Sequence, residues 1–226
     1  MRVLLLCDDY WHPGQIPMDG VALLSGQGFQ FDIISDAAYF RPDMLSLFPV
    51  VLLAKSDHVS QQDKTSWKTE EIQQAFIRYV ENGGGLIAVH SGTVAGEHTE
   101  KLNDLIGCRF SYHPQACPVT VQPLKPHPIT EGVGMFCEID EHYRLEILAP
   151  DADILIASYS PPQGDPDKYG QDPHNTAAWV CPAGYVRSQG KGRVCVLTPG
   201  HKPAVWQNPH FQKTLTNALR WGASGK

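Results

Sequence analysis

The sequence predicts one α/β domain built on a mostly parallel sheet with helices on both faces. Two observations lead to this prediction. Strand-like and helix-like segments alternate through the first half of the chain, as they do in βαβ units. The strand-like segments are also continuous apolar runs, which is typical of strands covered on both faces. The chain has 226 residues, of which 42% are hydrophobic, enough to bury a substantial core.

Five segments are predicted as strands of this sheet, because each is short and apolar and is bounded by turn-forming or polar residues. In chain order they are Val3–Cys7, Phe31–Ile34, Val50–Ala54, Leu86–Val89 and Arg193–Leu197. We expect the first and the fourth of them to run parallel.

The clearest predicted helix covers Thr69–Asn82. Thr69 can cap its first turn, and the two glutamates that follow suit the positive end of the helix dipole. Its apolar side chains share one stripe, formed by Ile72, Phe76, Tyr79 and Val80. Gly83 can end it in a left-handed conformation. The same periodicity predicts a last helix from about Phe211 to Trp221.

The middle of the chain, Cys117–Glu146, has a different pattern. It is rich in proline and β-branched residues, and it contains two strand-like pieces, Val119–Val121 and Phe136–Ile139. We expect these pieces to form an antiparallel excursion. The segment Pro161–Asn175 is dense in Pro, Gly and Asp, which predicts a long loop of the kind that is often functional.

Composition excludes several classes of function. The formal charge of −6 and the scattered lysines and arginines argue against a nucleic-acid partner. No apolar run is long enough to span a membrane. Met1–Cys7 is interpreted as the first strand and not as a lipoprotein signal, because its apolar run is short and Asp8 and Asp9 follow it at once. The six cysteines form no CxxC pair, which favours free thiols and a cytoplasmic location.

The segment Gly83–Thr93 is the most informative part of the sequence. It indicates a helix stop, a buried strand and a sharp turn, which is where many α/β enzymes hold their nucleophile above the sheet. His90 occupies that turn here, Ser91 follows it, and no cysteine is present. The fold and the location of a site are therefore predicted more clearly than the reaction.

Other candidate residues also follow predicted strands, and ligands of open parallel sheets bind beyond the carboxyl ends of strands. This rule selects the loop Asp8–Pro13 with Trp11 and His12, the pair Lys55 and Asp57, and His201. We expect His90 and His201 to share one cleft bordered by His12 and Glu141. Trp11 could stack on a sugar ring, although packing explains an aromatic residue equally well.

The turn Asp140–Tyr143 contains two carboxylates, an imidazole and a phenol. Either Glu141 or Tyr143 reaches the rim of the cleft, or the segment is a solvated charged turn. His113 precedes a proline, and a restricted turn explains it without function. No spacing typical of a zinc site is present, so a metal site would have to be assembled from distant loops.

These residues together resemble the trehalose-utilisation (ThuA-like) family of the class I glutamine amidotransferase-like superfamily. The resemblance extends from about Arg2 to Trp221, so one domain is expected over residues 1–226. The matching motifs are Tyr10–Pro13, Glu81–Gly92, His127–Gly132, Asp140–Tyr143, Gly192–Val194, Pro199–His201 and Ala218–Trp221. The resemblance implies a flavodoxin-like three-layer α/β/α sandwich. It also implies a role in the catabolism of trehalose or related glycosides through keto-sugar intermediates.

The superfamily's nucleophilic cysteine is replaced by His90 in this chain, and His201 resembles its triad histidine. This departure argues against a glutaminase. The leading hypothesis is an isomerase, lyase or hydrolase that acts on a sugar or keto-sugar by acid–base chemistry, because imidazoles titrate near neutral pH. Its expected catalytic residues are His90, His201 and Glu141. Its expected substrate-binding residues are His12, Trp11, Ser91, Tyr143, Asp57 and His113.

Two alternatives stay open. One is a serine hydrolase of the amidotransferase type, in which Ser91 is the nucleophile and His201 is its base. The other is a sugar-binding or regulatory domain without catalysis. The expected partner is a small carbohydrate, with neither nucleic acid nor membrane, and a homo-oligomer is left open. No cofactor is evident from the sequence, and a metal ion is left open.

Overall fold

The computed structural model of the protein describes residues 1–160 and 179–225, and the side chain of Trp179 lies outside this description. The predicted loop Pro161–Asn175 falls outside the described residues. The strands and helices in chain order are β1 (Arg2–Cys7), α1 (Gln15–Ala22), β2 (Gln30–Ile34), β3 (Val50–Ala54), α2 (Glu70–Glu81), β4 (Gly85–Val89), α3 (Glu100–Ile106), β5 (Cys108–Tyr112), β6 (Cys117–Pro123), β7 (Phe136–Asp140), β8 (Arg144–Ile147), β9 (Asp153–Ser160), β10 (Trp179–Gln189), β11 (Gly192–Leu197), α4 (Pro203–Gln207) and α5 (Pro209–Ala223).

The main sheet is mixed, so the prediction of a mostly parallel sheet is wrong. Across the described residues its nine strands lie in the order β2-β1-β3-β4-β11-β10-β9-β6-β7. The pairs from β2 to β11 are parallel, and the pairs from β11 to β7 are antiparallel. The direction changes at the β10–β11 hairpin, where Gly190 takes the left-handed conformation (φ 58°) that a tight turn needs.

The parallel half agrees with the sequence prediction. Strands β1 and β4 both run parallel to β3, which lies between them. The antiparallel pairing of β6 with β7 is also confirmed, although β6 joins the main sheet through β9. The short sheet formed by β5 and β8 was not predicted, because Cys108 is its only buried residue and its strands are not continuous apolar runs.

Helices cover both faces of the parallel half, which confirms the layered α/β arrangement. Alternate strand residues face opposite layers: Val3 and Leu5 pack with the apolar side chains of α4 and α5, whereas Leu4 and Leu6 pack with those of α2 and α3. Helix α2 lies within the predicted bounds. Thr69 accepts a hydrogen bond from the Ile72 amide at its start. No helix in the described parts of the chain has the length and apolarity needed to cross a bilayer.

A tight turn follows β4 and directs His90 above the carboxyl edge of the sheet. His90 itself has a left-handed backbone (φ 47°), which is uncommon for a residue with a side chain. Gly92 follows in the same turn, and a Cβ atom there would lie 2.0 Å from the Leu53 carbonyl oxygen of β3. The close approach of this turn to β3 therefore requires a glycine.

Candidate active site

Three histidines and one glutamate from separate loops meet above the parallel strands. His12, His90, Glu141 and His201, called the His–Glu cluster below, each offer one ligand atom, and these atoms lie within 4.8 Å of one another. His12 follows β1, His90 follows β4 and His201 follows β11, as the strand-end rule predicts. The expected shared cleft of His90 and His201 is present, with His12 and Glu141 beside it.

The carboxylate of Glu141 is the centre of the cluster. Its Oε2 atom lies 3.3 Å from His90 Nε2, 3.1 Å from His201 Nδ1 and 3.5 Å from His113 Nε2. Burial raises the pKa of Glu141, but its interactions with His201 and His90 outweigh burial and hold that pKa well below its usual range. Glu141 is therefore a carboxylate that faces three imidazole nitrogens.

His90 is held in one tautomer by a backbone carbonyl. Its Nδ1 atom lies 2.9 Å from the Thr198 carbonyl oxygen, and a carbonyl only accepts, so Nδ1 carries the proton. The Nε2 lone pair then faces Glu141. Burial lowers the pKa of His90, and this effect is larger than the opposing effect of Glu141. The neutral ring is therefore favoured.

His12 is fixed in the same way by Asp9. The Asp9 carboxylate accepts hydrogen bonds from the His12 ring at Nδ1 (2.8 Å) and from the backbone amides of Trp11, His12 and Ser56. Because a carboxylate only accepts, Nδ1 of His12 carries a proton. The Tyr143 hydroxyl lies 3.3 Å from the Nε2 atom of His12.

Two inward-facing side chains anchor the turn that carries Glu141. Asp140 accepts hydrogen bonds from the amides of Gly200 (2.8 Å) and His201 (2.9 Å), which ties the turn to the loop of His201. His142 bonds Ser160 Oγ at 2.7 Å and Ser158 Oγ at 2.9 Å. Both side chains are 1% exposed, so the alternative of a solvated charged turn is wrong.

The buried ring of His142 predicts a loss of stability in mild acid. Burial, with a smaller effect of the Arg144 charge, lowers its pKa to about 4, whereas an unfolded histidine has a pKa of about 6.5. The unfolded chain therefore binds more protons between these values, and stability is lost as pH falls through them. We expect this residue to make the free energy of unfolding about 2 kcal/mol smaller at pH 5 than at pH 7.5.

Urea titrations at the two pH values measure this effect. His142→Gln, which cannot take up a proton, should be less stable than the parent at pH 7.5 and should show a flatter dependence on pH. An unchanged pH dependence in that variant would rule out His142 as the cause.

Three other predicted residues lie beside the cluster. The ring of Tyr143 is buried, with its centroid 3.9 Å from that of His90. His113 stacks on Tyr143 at 5.5 Å, and its side chain is 34% exposed, more than those of His90 and His201. Ser91 is buried and lines a narrow cavity together with His12, His90 and His201.

Trp11 and Asp57 are placed differently. Trp11 is 62% exposed and packs edge-on against Tyr10, so its indole is available on the surface near His12. Asp57 is engaged elsewhere, since its carboxylate accepts the Lys68 amide at 3.0 Å and lies against Gly96. The structure thus does not bring Asp57 into the cluster.

Three buried polar atoms of the cluster have no hydrogen-bond partner among the residues that the structure describes. They are His90 Nε2, Glu141 Oε2 and His201 Nδ1, and they face one another. Unpaired buried polar atoms are costly and are concentrated at functional sites. The sequence did not reveal the supports of these groups, because the Thr198 carbonyl and the Asp140 clamp act across 108 and 61 residues of chain.

The six cysteines are free. Cys7 and Cys195 are buried within strands, as predicted, and burial raises the pKa of Cys7 to about 12. That no thiol acts as a nucleophile stays a prediction. Alkylation under native conditions should leave activity intact, and a complete loss that substrate prevents would contradict it.

Comparison with known proteins gives a family match and a common fold. The family model ThuA, described as trehalose utilisation, matches residues 2–222. A ThuA-like protein from Parabacteroides merdae ATCC 43184 has a TM-score of 0.75 at 20% identity, over 100% of this chain and 91% of that one. A ThuA-like protein from Bacteroides uniformis ATCC 8492 has a TM-score of 0.72 at 20% identity, over 98% and 90%.

A third similar structure is a cytoplasmic protein of Salmonella typhimurium LT2, with a TM-score of 0.67 at 14% identity, over 98% of this chain and 99% of that one. At these identities the likeness shows the fold alone. No curated protein matches the chain.

Proposed function

The chain belongs to the trehalose-utilisation (ThuA) family, and we propose that it is an enzyme of carbohydrate catabolism that moves protons on a keto-sugar at the His–Glu cluster. Family membership supports a role in carbohydrate utilisation. The observation that supports the site is the convergence of unpaired, buried atoms of His90, His201 and Glu141 at the carboxyl edge of the sheet.

The chemistry follows from what a keto-sugar requires. Removal of a proton from the carbon next to a carbonyl needs a base at that carbon and a group that stabilises the developing negative charge on the oxygen. The enolate can then be reprotonated at its other carbon, which isomerises the sugar, or at the same carbon from the opposite face, which epimerises it. It can also expel a glycosidic group from the carbon next to the deprotonated one, by elimination. All three outcomes start from the same proton abstraction.

The accessible imidazoles are the best candidates for the base. His201 and His113 have side chains that are 20% and 34% exposed, so a sugar can reach them, whereas His90 is 3% exposed. Glu141 contacts all three rings and keeps them oriented. In this proposal one of these two accessible imidazoles is the base, Glu141 holds it in place, and His90 contributes through the unpaired Nε2 atom that it directs into the same space.

In this proposal the residues around the His–Glu cluster bind the sugar. The exposed indole of Trp11 offers a face on which a sugar ring can stack, and aromatic faces supply large contact areas at low entropic cost. Tyr143 and Ser91 border the cluster from inside. Asp57 supports the neighbouring loop through Lys68 and takes no direct part in this proposal.

The serine-hydrolase alternative has weaker support. A nucleophilic serine needs a base within hydrogen-bond reach. In the described parts of the chain, no imidazole is hydrogen-bonded to the Ser91 hydroxyl, and His201 Nδ1 faces Glu141 instead. A sugar-binding domain without catalysis is the other alternative, and only turnover separates it from the enzyme. The buried free cysteines are consistent with a cytoplasmic enzyme.

The test is solvent exchange on a keto-sugar. The protein is incubated in D₂O with trehalose oxidised to a ketone at one secondary hydroxyl, and the sugar is analysed by mass spectrometry and NMR. We expect deuterium next to the carbonyl, and loss of this activity in Glu141→Gln. The matched control is His98→Asn, because His98 is exposed and its left-handed backbone (φ 64°) is tolerated by asparagine.

Two results would contradict the proposal. Saturable sugar binding without exchange or turnover would favour the binding domain. Labelling of Ser91 by a serine-reactive probe, together with hydrolysis that depends on Ser91, would favour the hydrolase.

A further inference from the structure

We propose that His12, His90, Glu141 and His201 bind one divalent transition-metal ion. These four side chains form a group of potential ligands whose donor atoms are all within 4.8 Å of one another. Three imidazole nitrogens and one carboxylate oxygen are donors that suit zinc and its first-row neighbours, whereas calcium and magnesium prefer oxygen ligands alone.

The spacing of the donor atoms fits an ion at their centre. Ligands about 2.0–2.1 Å from a tetrahedral zinc are separated from one another by about 3.3 Å. Glu141 Oε2 lies 3.3 Å from His90 Nε2 and 3.1 Å from His201 Nδ1. Within the described parts of the chain these three atoms have no hydrogen-bond partner, and both separations from Glu141 Oε2 are close to the value that a shared cation requires.

The surroundings fix two of the imidazoles in the form that binds metal. A ligating histidine usually donates its other ring N–H to a carboxylate or a backbone carbonyl. His12 donates Nδ1–H to Asp9 at 2.8 Å, and His90 donates Nδ1–H to the Thr198 carbonyl at 2.9 Å. Both rings are thereby oriented with Nε2 toward the cluster.

The ligand-bearing loops are also tied to each other before any ion binds. Asp140 accepts the backbone amides of Gly200 and His201, which couples the loop of His201 to the turn of Glu141. Tyr143, which belongs to the same turn as Glu141, packs against the ring of His90 with the two ring centroids 3.9 Å apart. A preformed arrangement of this kind lowers the ordering cost of binding.

The sequence could not reveal this site from spacing. Its ligands follow β1, β4, β7 and β11, so they are separated by 78, 51 and 60 residues, and no local ligand motif exists. A single histidine after a strand is an ordinary polar residue. Only the meeting of the strand ends, and the unpaired state of the atoms there, points to a cation.

This inference deepens the proposed function and rests on it only where the sugar is concerned. A divalent cation held by these four side chains would have to take the carbonyl oxygen of a keto-sugar as a fifth ligand, and it would then stabilise negative charge on that oxygen. The lone pairs of His90 and His201 are then used as ligands. His113, which lies 3.5 Å from Glu141 outside the four ligands, becomes the base in reach of the substrate.

The test measures metal uptake without any sugar. The protein is stripped with a chelator, dialysed, and titrated with ZnCl₂ by calorimetry, and elemental analysis gives the stoichiometry. We expect one zinc ion per chain, and cobalt added in its place should give the visible absorption of a four- or five-coordinate site. Glu141→Gln and His90→Gln should weaken zinc binding by about 100-fold or more, and Asp9→Asn by about 10–100-fold.

His98→Asn is the control and should bind zinc like the parent. Circular dichroism establishes that each variant is folded before its affinity is compared. The inference is overturned if the stripped parent takes up no stoichiometric zinc or cobalt, or if folded Glu141→Gln and His90→Gln bind as tightly as the parent.

The two proposals can fail separately. Deuterium exchange on the keto-sugar that persists in fully stripped protein would overturn the role of the metal and leave the proposed function intact. Stoichiometric, cluster-dependent zinc binding without any change to the sugar would support the metal site and count against the proposed function.

Discussion

Replacing His90 with glutamine is expected to lower turnover on a keto-sugar by about 10²–10⁴-fold while the protein stays folded, a loss of roughly 3–5 kcal/mol of transition-state stabilisation. The physical reason is that an amide neither carries a proton near neutral pH nor replaces an imidazole as a metal ligand. The unpaired Nε2 atom of His90 lies 3.3 Å from Glu141. The substitution therefore removes the most deeply buried imidazole nitrogen of the cluster.

Three patterns distinguish the roles that His90 can have. A metal ligand loses bound metal and turnover together, which is the expected result. A proton-transfer residue loses turnover while a metal-free parent is fully active. A structural histidine lowers the melting temperature but leaves the rate of the remaining folded protein unchanged. Near-normal turnover in purified, folded His90→Gln would contradict any catalytic role.

Gly92→Ala is expected to lower the free energy of unfolding by about 3 kcal/mol or more, the largest stability effect among the variants proposed. A Cβ atom at this position would lie 2.0 Å from the Leu53 carbonyl oxygen and 2.9 Å from its carbonyl carbon. Both atoms belong to the backbone of β3, a buried central strand, so the clash can be relieved only by moving the turn or the strand. Overpacking of rigid sites costs about 1–3 kcal/mol and occasionally more.

Urea unfolding of the variant and of Gly26→Ala measures the effect. Gly26 has no atom within 4 Å of an added Cβ, so its substitution should change the free energy of unfolding by less than about 0.5 kcal/mol. If Gly92→Ala were as stable as the parent, the close approach of the His90 turn to β3 would be wrong.

Local patterns in the sequence were enough to predict the parallel half of the fold. The continuous apolar runs predict β1, β3 and β4, and the capping residue and the stripe predict α2, because these signals lie within a few residues of one another. The mixed character of the sheet was missed because it depends on the partners of β11. This strand pairs parallel with β4 and antiparallel with β10, and no local pattern in the sequences of the other strands indicates this.

The site was predicted in part for a similar reason. Parallel strands end at one edge of a sheet, so His12, His90 and His201 could be expected to converge from strand positions alone. Their supports could not, because Asp140 reaches His201 across 61 residues and the Thr198 carbonyl carries no side-chain signal. The same limit applies to Asp57. Its carboxylate accepts a hydrogen bond from the Lys68 amide because of a loop conformation that the sequence did not indicate.

The most direct test of the central claim is a crystal structure of the protein soaked with the oxidised trehalose used in the exchange experiment. We expect the sugar to lie with its carbonyl group at the His–Glu cluster and with a ring near Trp11. A larger surface cavity lies elsewhere, lined by Leu124, His127 and Glu131 among others. A sugar bound only there, with the His–Glu cluster unchanged and free of sugar, would contradict the assignment of the cluster as the active site.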